Sequence, residues 1–142
     1  MSSTREPSLN EVLQTCADDV YEQLGNGLTE CNYRNALAQA LRKVGNMVNC
    51  EVVIPVTFNE ATVGSIRADI IVGDFWVIEI KCASKITETH CAQTRAYMSR
   101  MHVPKPGQVY AHVVNFGLEG FEIKEVKLPS KKRKPVDDSD SD

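Results

Sequence analysis

Residues 66–81 read IRADIIVGDFWVIEIK, in which two β-rich runs flank a Gly-Asp-Phe tripeptide at 73–75. Runs of this kind on either side of a glycine-containing turn predict an antiparallel hairpin. Three charged residues, Asp69, Glu79 and Lys81, interrupt these apolar strands at positions where burial is otherwise expected. Such local violations of the folding pattern are typical of functional sites. We therefore take this hairpin as the centre of the domain.

The length of the hairpin loop decides whether the charged side chains meet. Side chains two residues apart on a strand share a face, so Glu79 and Lys81 project together while Ile78 and Ile80 point the other way. A two-residue turn would pair Asp69 with Ile78 and send the two carboxylates to opposite faces. A loop of three residues, or a bulge with the same effect, places Asp69 directly opposite Glu79. We predict this second register.

Two carboxylates and an ammonium group on one face of a hairpin predict a divalent-metal site. Oxygen ligands at this spacing suit Mg²⁺ or Mn²⁺, which keep several waters and bind through one or two carboxylates plus substrate phosphate. In a phosphodiester reaction, Lys81 would orient the attacking water or neutralise charge on the phosphate. The alternative is a surface hairpin on which the three charges are simply solvated and keep an edge strand soluble.

The rest of the chain predicts helices and strands around this hairpin. Capping signals and apolar residues at helical spacing predict three helices, at Ser8 to Gly25, Thr29 to Gly45, and Thr87 to about Met101. Alternating apolar residues predict three further strands, at 52–58, 109–116 and 121–128. Pro55 favours an edge position for the first of these strands. A single domain over residues 8–128 follows.

Polar side chains on two of the helices are candidates for the same site. Glu30 lies on or beside the apolar stripe of the second helix, where a buried carboxylate needs a metal or a cation as partner. Taken alone, its position favours the alternative, an exposed acid stabilised at a helix N-terminus. On the third helix, Gln93 and Tyr97 are one turn apart and His90 precedes them on the same face. Gln93 could donate to a phosphate or hold Lys81, yet such residues are also ordinary at a half-exposed helix surface.

Composition limits the class of protein. The formal net charge of -3 gives no global attraction for nucleic acid, so any such binding must come from a local basic surface or from metal-bridged phosphates. No apolar run approaches the roughly 20 residues of a membrane span, and we expect a soluble, intracellular protein without a membrane partner. The cysteines contain no C-x-x-C pair, and we expect buried, reduced thiols at all five positions: Cys16, Cys31, Cys50, Cys82 and Cys91.

Both ends of the chain are predicted to be disordered, over residues 1–7 and 129–142, because the charged and serine-rich tail has nothing to bury. The tail contains the basic run Lys131, Lys132, Arg133 and Lys134, which looks like a short nuclear-import signal. An import receptor would then direct the protein to the nucleus of a eukaryotic host. The same cations could instead contact a nucleic-acid backbone or form a solvated run beside the acidic residues that follow.

Several short motifs occur in order along the chain. They are G-x-x-E-x-x-Y at Gly27, Glu30 and Tyr33, R-A-D at 67–69, E-I-K at 79–81, Q-x-x-x-Y at Gln93 and Tyr97, and N-F-G at 115–117. This combination closely resembles the GxxExxY family of the PD-(D/E)XK nuclease superfamily, and its Q-x-x-x-Y motif is similar to that of the RecB-like branch. The resemblance runs from the first helix to Val126.

The resemblance implies an α/β fold with a PD-(D/E)XK, restriction-endonuclease-like core, in which helices flank a central mixed β-sheet. It implies two overlapping sets of residues: Asp69, Glu79, Glu30 and Ile80 as metal ligands, and Asp69, Glu79, Lys81, Glu30, Gln93 and Tyr97 as catalytic residues. Some RecB-like nucleases also hold an iron-sulfur cluster through a terminal set of cysteines. The cysteines of this chain do not match that arrangement, and no cluster is expected.

Three functions remain open at this point. The first is a metal-dependent nuclease acting on nucleic acid, with DNA favoured, in repair, recombination or viral genome processing. The second is a catalytically inactive module that keeps the fold and binds nucleic acid or protein. The third is an interaction protein whose charged hairpin pairs with another chain. A homodimer or a protein partner could supply specificity that so short a chain lacks.

Overall fold

A computed structural model describes residues 5–101 and 108–129 of the chain. The segments predicted to be disordered, 1–7 and 129–142, lie mostly outside these residues. The basic run 131–134 lies entirely outside them. The described elements are α1 (Leu9–Leu24), α2 (Glu30–Lys43), β1 (Val48–Phe58), β2 (Ala61–Val72), β3 (Trp76–Lys81), α3 (Glu88–Met98), β4 (Tyr110–Phe116) and β5 (Phe121–Val126).

The five strands form one mixed sheet in the order β1-β2-β3-β4-β5. Strands β3 and β4 are parallel, and the other neighbouring pairs are antiparallel. Parallel neighbours need a crossover connection, and α3 lies within it. One apolar cluster packs α1 and α2 against the sheet, and a second cluster contains Cys91 and Met98 of α3. The predicted α/β fold with a mixed sheet between helices is confirmed.

The ends of the helices follow from local hydrogen bonds. Ser8 and Glu11 form the predicted capping box, in which the Glu11 N–H donates to Ser8 Oγ at 3.1 Å and the Ser8 N–H donates to Glu11 Oε1 at 3.4 Å. The prediction that the third helix continues to about Met101 is wrong, because α3 ends at Met98. The Arg100 N–H donates to the Tyr97 carbonyl only three residues back, so the chain tightens into a turn.

The β1–β2 hairpin is longer than predicted, since β1 begins at Val48 and β2 begins at Ala61. Asn59 and Glu60 both have positive φ and form its two-residue turn. The first five residues of β2 are all exposed and lack apolar alternation, so the sequence does not mark them as a strand. They are held in strand conformation by pairing with β1. Pro55 lies in an edge strand, as predicted.

The prediction of buried thiols is correct for only part of the set. Cys16 and Cys91 are buried, Cys50 is half-buried, and Cys31 and Cys82 are exposed; all five are free. Cys31 and Cys82 directly follow the candidate site residues Glu30 and Lys81. Among the described residues, no helix combines the length and the apolar character needed to cross a bilayer.

Candidate active site

The β2–β3 hairpin has the predicted three-residue loop. Val72 pairs with Trp76, and the register continues through Ile71 with Val77 and Ile70 with Ile78. The same register, carried one step further, places Asp69 opposite Glu79. Ile78 and Ile80 point into the α1–α2 cluster, so Glu79 projects from the opposite face, as predicted.

At the end of the β2–β3 ladder, the two carboxylates replace main-chain carbonyls as hydrogen-bond acceptors. The Asp69 N–H donates to Glu79 Oε1 at 2.9 Å, and the Ile80 N–H donates to Asp69 Oδ2 at 2.8 Å. Each carboxylate is thus fixed by a backbone donor of the opposite strand. This exchange holds the two acidic side chains next to each other.

β2 also leaves regular pairing on its other side at the same residue. Cys50 pairs with Ile70 and Val52 with Ala68, which places Glu51 opposite Asp69. Glu51 has a φ of 52°, a left-handed conformation that costs a non-glycine residue on the order of 1 kcal/mol. Backbone strain of this kind concentrates at functional sites.

Glu51 is held outward by two arginines. Its Oε1 lies 3.2 Å from Arg34 Nη1 and 3.7 Å from Arg67 Nη1. Arg67 remains largely exposed, with 64% of its side-chain surface accessible, and it borders the same cavity as Asp69. Because the weaker and longer contact belongs to Arg67, this guanidinium is available to an anion that enters the cavity.

The carboxylates lie in an environment that disfavours two negative charges. Burial, together with the neighbouring charge of Asp69, raises the pKa of Glu79 to about 9. Burial and the charges of Glu79 and Asp69 raise the pKa of Tyr97 to about 12. Lys81 only partly offsets the effect on Glu79. A cation placed between the two acids would relieve this repulsion.

A cavity of about 380 Å³ opens over these groups and collects most of the predicted site residues. It is lined by Glu30, Ile66, Arg67, Asp69, Glu79, Lys81, Gln93, Ala96 and Tyr97. Lys81 Nζ donates to Gln93 Oε1 at 3.2 Å, so α3 reaches the end of β3 as expected. Among the cavity-lining residues, Glu30 and Gln93 are exposed, Lys81 and Tyr97 are half-buried, and Glu79 is buried.

His90 does not join this group, although it was predicted on the same helix face as Gln93 and Tyr97. Its Nδ1 accepts the Thr87 N–H at 3.1 Å, and its own N–H donates to Thr87 Oγ1 at 3.3 Å. His90 therefore occupies the third position of a capping box and stabilises the start of α3.

The comparison with known protein families identifies the superfamily of this chain. The family model of the PD-(D/E)XK nuclease superfamily matches residues 7–126. This chain belongs to that superfamily. The crystal structure of an alkaline exonuclease from Laribacter hongkongensis matches at 15% identity with a TM-score of 0.46, covering 84% of this chain and 82% of that chain. No curated protein sequence matches the chain.

PD-(D/E)XK nucleases generally depend on a divalent metal, and two features of this chain fit one. Among the described residues, each carboxylate accepts a single hydrogen bond through a single oxygen. The two carboxylates also line a cavity with room for water molecules. Two carboxylates side by side, with space for bound water, suit Mg²⁺ or Mn²⁺.

The set of candidate metal ligands in this cavity is nevertheless sparse. Within residues 5–101 and 108–129, no three His, Cys, Asp or Glu side chains are close enough to hold one ion. Glu30 lines the cavity without completing a cluster with Asp69 and Glu79, and Ile80 contacts Asp69 through its N–H. Direct ligation by Glu30 or by the Ile80 carbonyl stays a prediction.

Three lining residues had no role in the sequence analysis. Arg67 was part of the R-A-D motif. The signal that could have identified it is its position two residues before Asp69, which puts both side chains on the same face of β2. Ile66 and Ala96 form apolar parts of the wall. Ala96 had no signal of its own, because its place depends on how α3 packs against β2 and β3.

Proposed function

We propose that this protein is a Mg²⁺- or Mn²⁺-dependent nuclease that hydrolyses phosphodiester bonds of nucleic acid, with DNA as the favoured substrate. One observation carries the proposal. Asp69 and Glu79 are held side by side by backbone donors, at a cavity that Lys81 also lines. Paired carboxylates next to a lysine are the groups that phosphodiester hydrolysis with a bound cation requires.

Each residue has a distinct role in this proposal. Asp69 and Glu79 bind the cation, which when present polarises a phosphoryl oxygen and acidifies a water molecule. Lys81 orients the attacking water or neutralises charge on the phosphate, and Gln93 fixes the lysine through the 3.2 Å contact. Tyr97 is protonated at neutral pH and donates a hydrogen bond to the phosphate. Glu30 acts from the rim as a further acidic residue.

We further propose that the protein belongs to a particular branch and family within the superfamily. The Lys81–Gln93 contact and the position of Tyr97 in the cavity support the RecB-like Q-x-x-x-Y branch and the GxxExxY family. Repair, recombination or viral genome processing are the processes in which such an enzyme would act. In a eukaryotic host, we place the protein in the nucleus through residues 131–134, which lie outside the described part of the chain.

The test is cleavage of single- and double-stranded DNA and RNA with Mg²⁺, with Mn²⁺ or with EDTA. Asp69→Asn and Lys81→Ala should each lower the rate by a factor on the order of 10² to 10³. Asp74→Asn in the hairpin loop and Lys124→Ala on β5 are matched controls, because both side chains are exposed and outside the cavity. Both controls should retain the wild-type rate.

Folding of each variant is checked by circular dichroism. Wild-type cleavage that persists in EDTA, or that survives in Asp69→Asn, would contradict the proposal. Binding of nucleic acid without cleavage under any metal condition would instead indicate an inactive binding module. Size-exclusion chromatography with light scattering tests the homodimer.

A further inference from the structure

A second and larger cavity, of about 770 Å³, lies at the carboxyl ends of β3 and β4. Three stretches of chain form its walls: 27–28 before α2, 82–85 after β3, and 115–122 around the β4–β5 turn. The last stretch contains the N-F-G motif, to which the proposed chemistry gives no role. This cavity is called the cleft below.

The cleft adjoins the carboxylate cavity along two walls. On one wall, Lys81 borders the carboxylate cavity and the next residue, Cys82, borders the cleft, with Cα atoms about 3.8 Å apart. On the other wall, Glu30 borders the carboxylate cavity and Leu28 borders the cleft, a reach of at most about 7 Å. The charge of Glu30 contributes, after burial, to a raised pKa of the Cys82 thiol, which agrees with this proximity.

The N-F-G motif fixes the walls of the cleft. The Ala83 N–H donates to Asn115 Oδ1 at 2.7 Å, and Asn115 Nδ2 donates to the Ala83 carbonyl at 2.9 Å. Asn115 is only 4% exposed, so this pair of bonds anchors the stretch after β3 to β4. Gly117 allows a close approach, because a Cβ there would lie 3.4 Å from the Gly120 carbonyl oxygen.

The turn on the far side is anchored by α1 and by the turn that follows it. Tyr21 Oη donates to the Gly117 carbonyl at 2.9 Å, and Asn26 Nδ2 donates to the Leu118 carbonyl at 2.7 Å. Phe116, between the two anchors, stacks on Tyr33 with ring centroids 4.5 Å apart. The main chain around the cleft is therefore held in place before any ligand arrives, which lowers the entropic cost of binding.

The lining favours a flat apolar group over a phosphate. Leu28 and Leu118 are 40% and 76% exposed, and Phe121 adds an aromatic side chain. The cation Lys85 is accompanied by Glu119 and Glu122, so the lining has no excess of positive charge to attract an anion. Apolar side chains bordering a cavity next to a phosphodiester site match a nucleobase whose phosphate lies in the neighbouring cavity.

We infer that the cleft binds one unstacked nucleobase of the substrate. This base belongs to the nucleotide next to the phosphate that is bound at Asp69 and Glu79. The inference rests on the proposed function and specifies its substrate as single-stranded or frayed nucleic acid. A base inside a duplex would first have to leave its stack, which costs free energy, so intact duplex is the poorer substrate.

The experiment combines Leu118→Ala with removal of single bases from the substrate. A short single-stranded DNA is prepared as a series in which one abasic site is moved along the strand, and cleavage and binding are measured for each member. Leu118→Ala should weaken binding of the complete strand about 10-fold, because it removes most of the apolar area that the leucine buries against the base. One abasic position should weaken wild-type binding to a similar extent and remove the effect of Leu118→Ala, because both changes delete the same contact.

Leu128→Ala is the control, since this leucine is also exposed, at 40%, but lies outside both cavities. It should behave as the wild type on every strand. Leu118→Ala is expected to fold normally, because the side chain is three-quarters exposed and the contact with Asn26 uses its main-chain carbonyl.

The outcomes separate this inference from the proposed function. If the wild type cleaves DNA but Leu118→Ala has no effect, or the same effect on every abasic strand, the cleft inference is overturned while the nuclease proposal stands. If the wild type does not cleave, the binding series alone decides: a position-specific loss shared with Leu118→Ala supports the cleft, and its absence overturns it.

Discussion

Replacing Glu79 by glutamine tests the electrostatics of the site directly. In the wild type, the folded-state pKa of Glu79 is raised from 4.5 to about 9 by burial and by Asp69. The folded chain therefore holds a proton that the unfolded chain has released between these two values, and the free energy of unfolding falls as the pH rises through that window. Glutamine is neutral throughout, and its oxygen can still accept the Asp69 N–H.

The size of the expected change in unfolding free energy follows from the shift in the pKa of Glu79. At pH 8 the carboxyl is about 3.5 pH units above its unfolded pKa, which at about 1.4 kcal/mol per unit gives a ceiling of roughly 5 kcal/mol. Entry of water and movement of Asp69 reduce this ceiling, and we expect about 2 to 4 kcal/mol. In EDTA, Glu79→Gln should thus be more stable than the wild type at pH 8 and close to it at pH 5.

Urea unfolding at several pH values between 5 and 8, in EDTA, measures the difference between the two proteins. Titrating groups far from Glu79 cancel in that difference, whereas Asp69, which is coupled to Glu79, contributes to it. Glu22→Gln, an exposed change on α1, should follow the wild type. Added Mg²⁺ at a hundredfold excess over its Kd should stabilise the wild type by about 2.7 kcal/mol and Glu79→Gln by far less. Equal pH dependence of the wild type and Glu79→Gln would refute the reasoning.

Two further outcomes are expected. Gln93→Ala should lower kcat about 10-fold with little change in KM, because it removes a hydrogen bond to the charged Lys81 and no proposed contact with the substrate; a change confined to KM, measured by steady-state kinetics, would count against a positioning role. His112 accepts the Trp76 Nε1–H at 2.9 Å, and burial lowers its pKa, so folding stability should fall as the pH drops below about 6.5. His112→Asn keeps an acceptor and loses that part of the pH dependence, which urea unfolding at pH 7 and pH 5 would detect.

The β2–β3 hairpin shows how far the sequence alone can define a site. Strand periodicity and an odd number of loop residues were sufficient to place Asp69 opposite Glu79, because both are local properties of 16 consecutive residues. The long arm of β1 and β2 escaped prediction, since exposed residues such as Thr62 and Ser65 lack apolar alternation. Their strand conformation comes from pairing across the hairpin.

Contacts between distant segments marked the limit of prediction. Helical spacing placed His90 beside Gln93, yet it could not show that the imidazole turns back to cap α3. The cleft is assembled from three stretches up to 95 residues apart in sequence, Gly27 to Glu122, and the Asn115–Ala83 bonds that shape it have no local signature. The resemblance to a known family brought Glu30 and α3 to the site where spacing arguments left the alternatives open.

The exchange of backbone for side-chain hydrogen bonds at the end of the β2–β3 ladder gives the protein an internal spectroscopic probe. The amides of Asp69 and Ile80 bond to the very carboxylates proposed to bind the cation. Their nuclear magnetic resonance shifts and deuterium-exchange rates should respond to ion occupancy, while the amide of Ile70, inside the ladder, should not. Occupancy of the site could then be followed residue by residue during a titration, without substrate and without turnover.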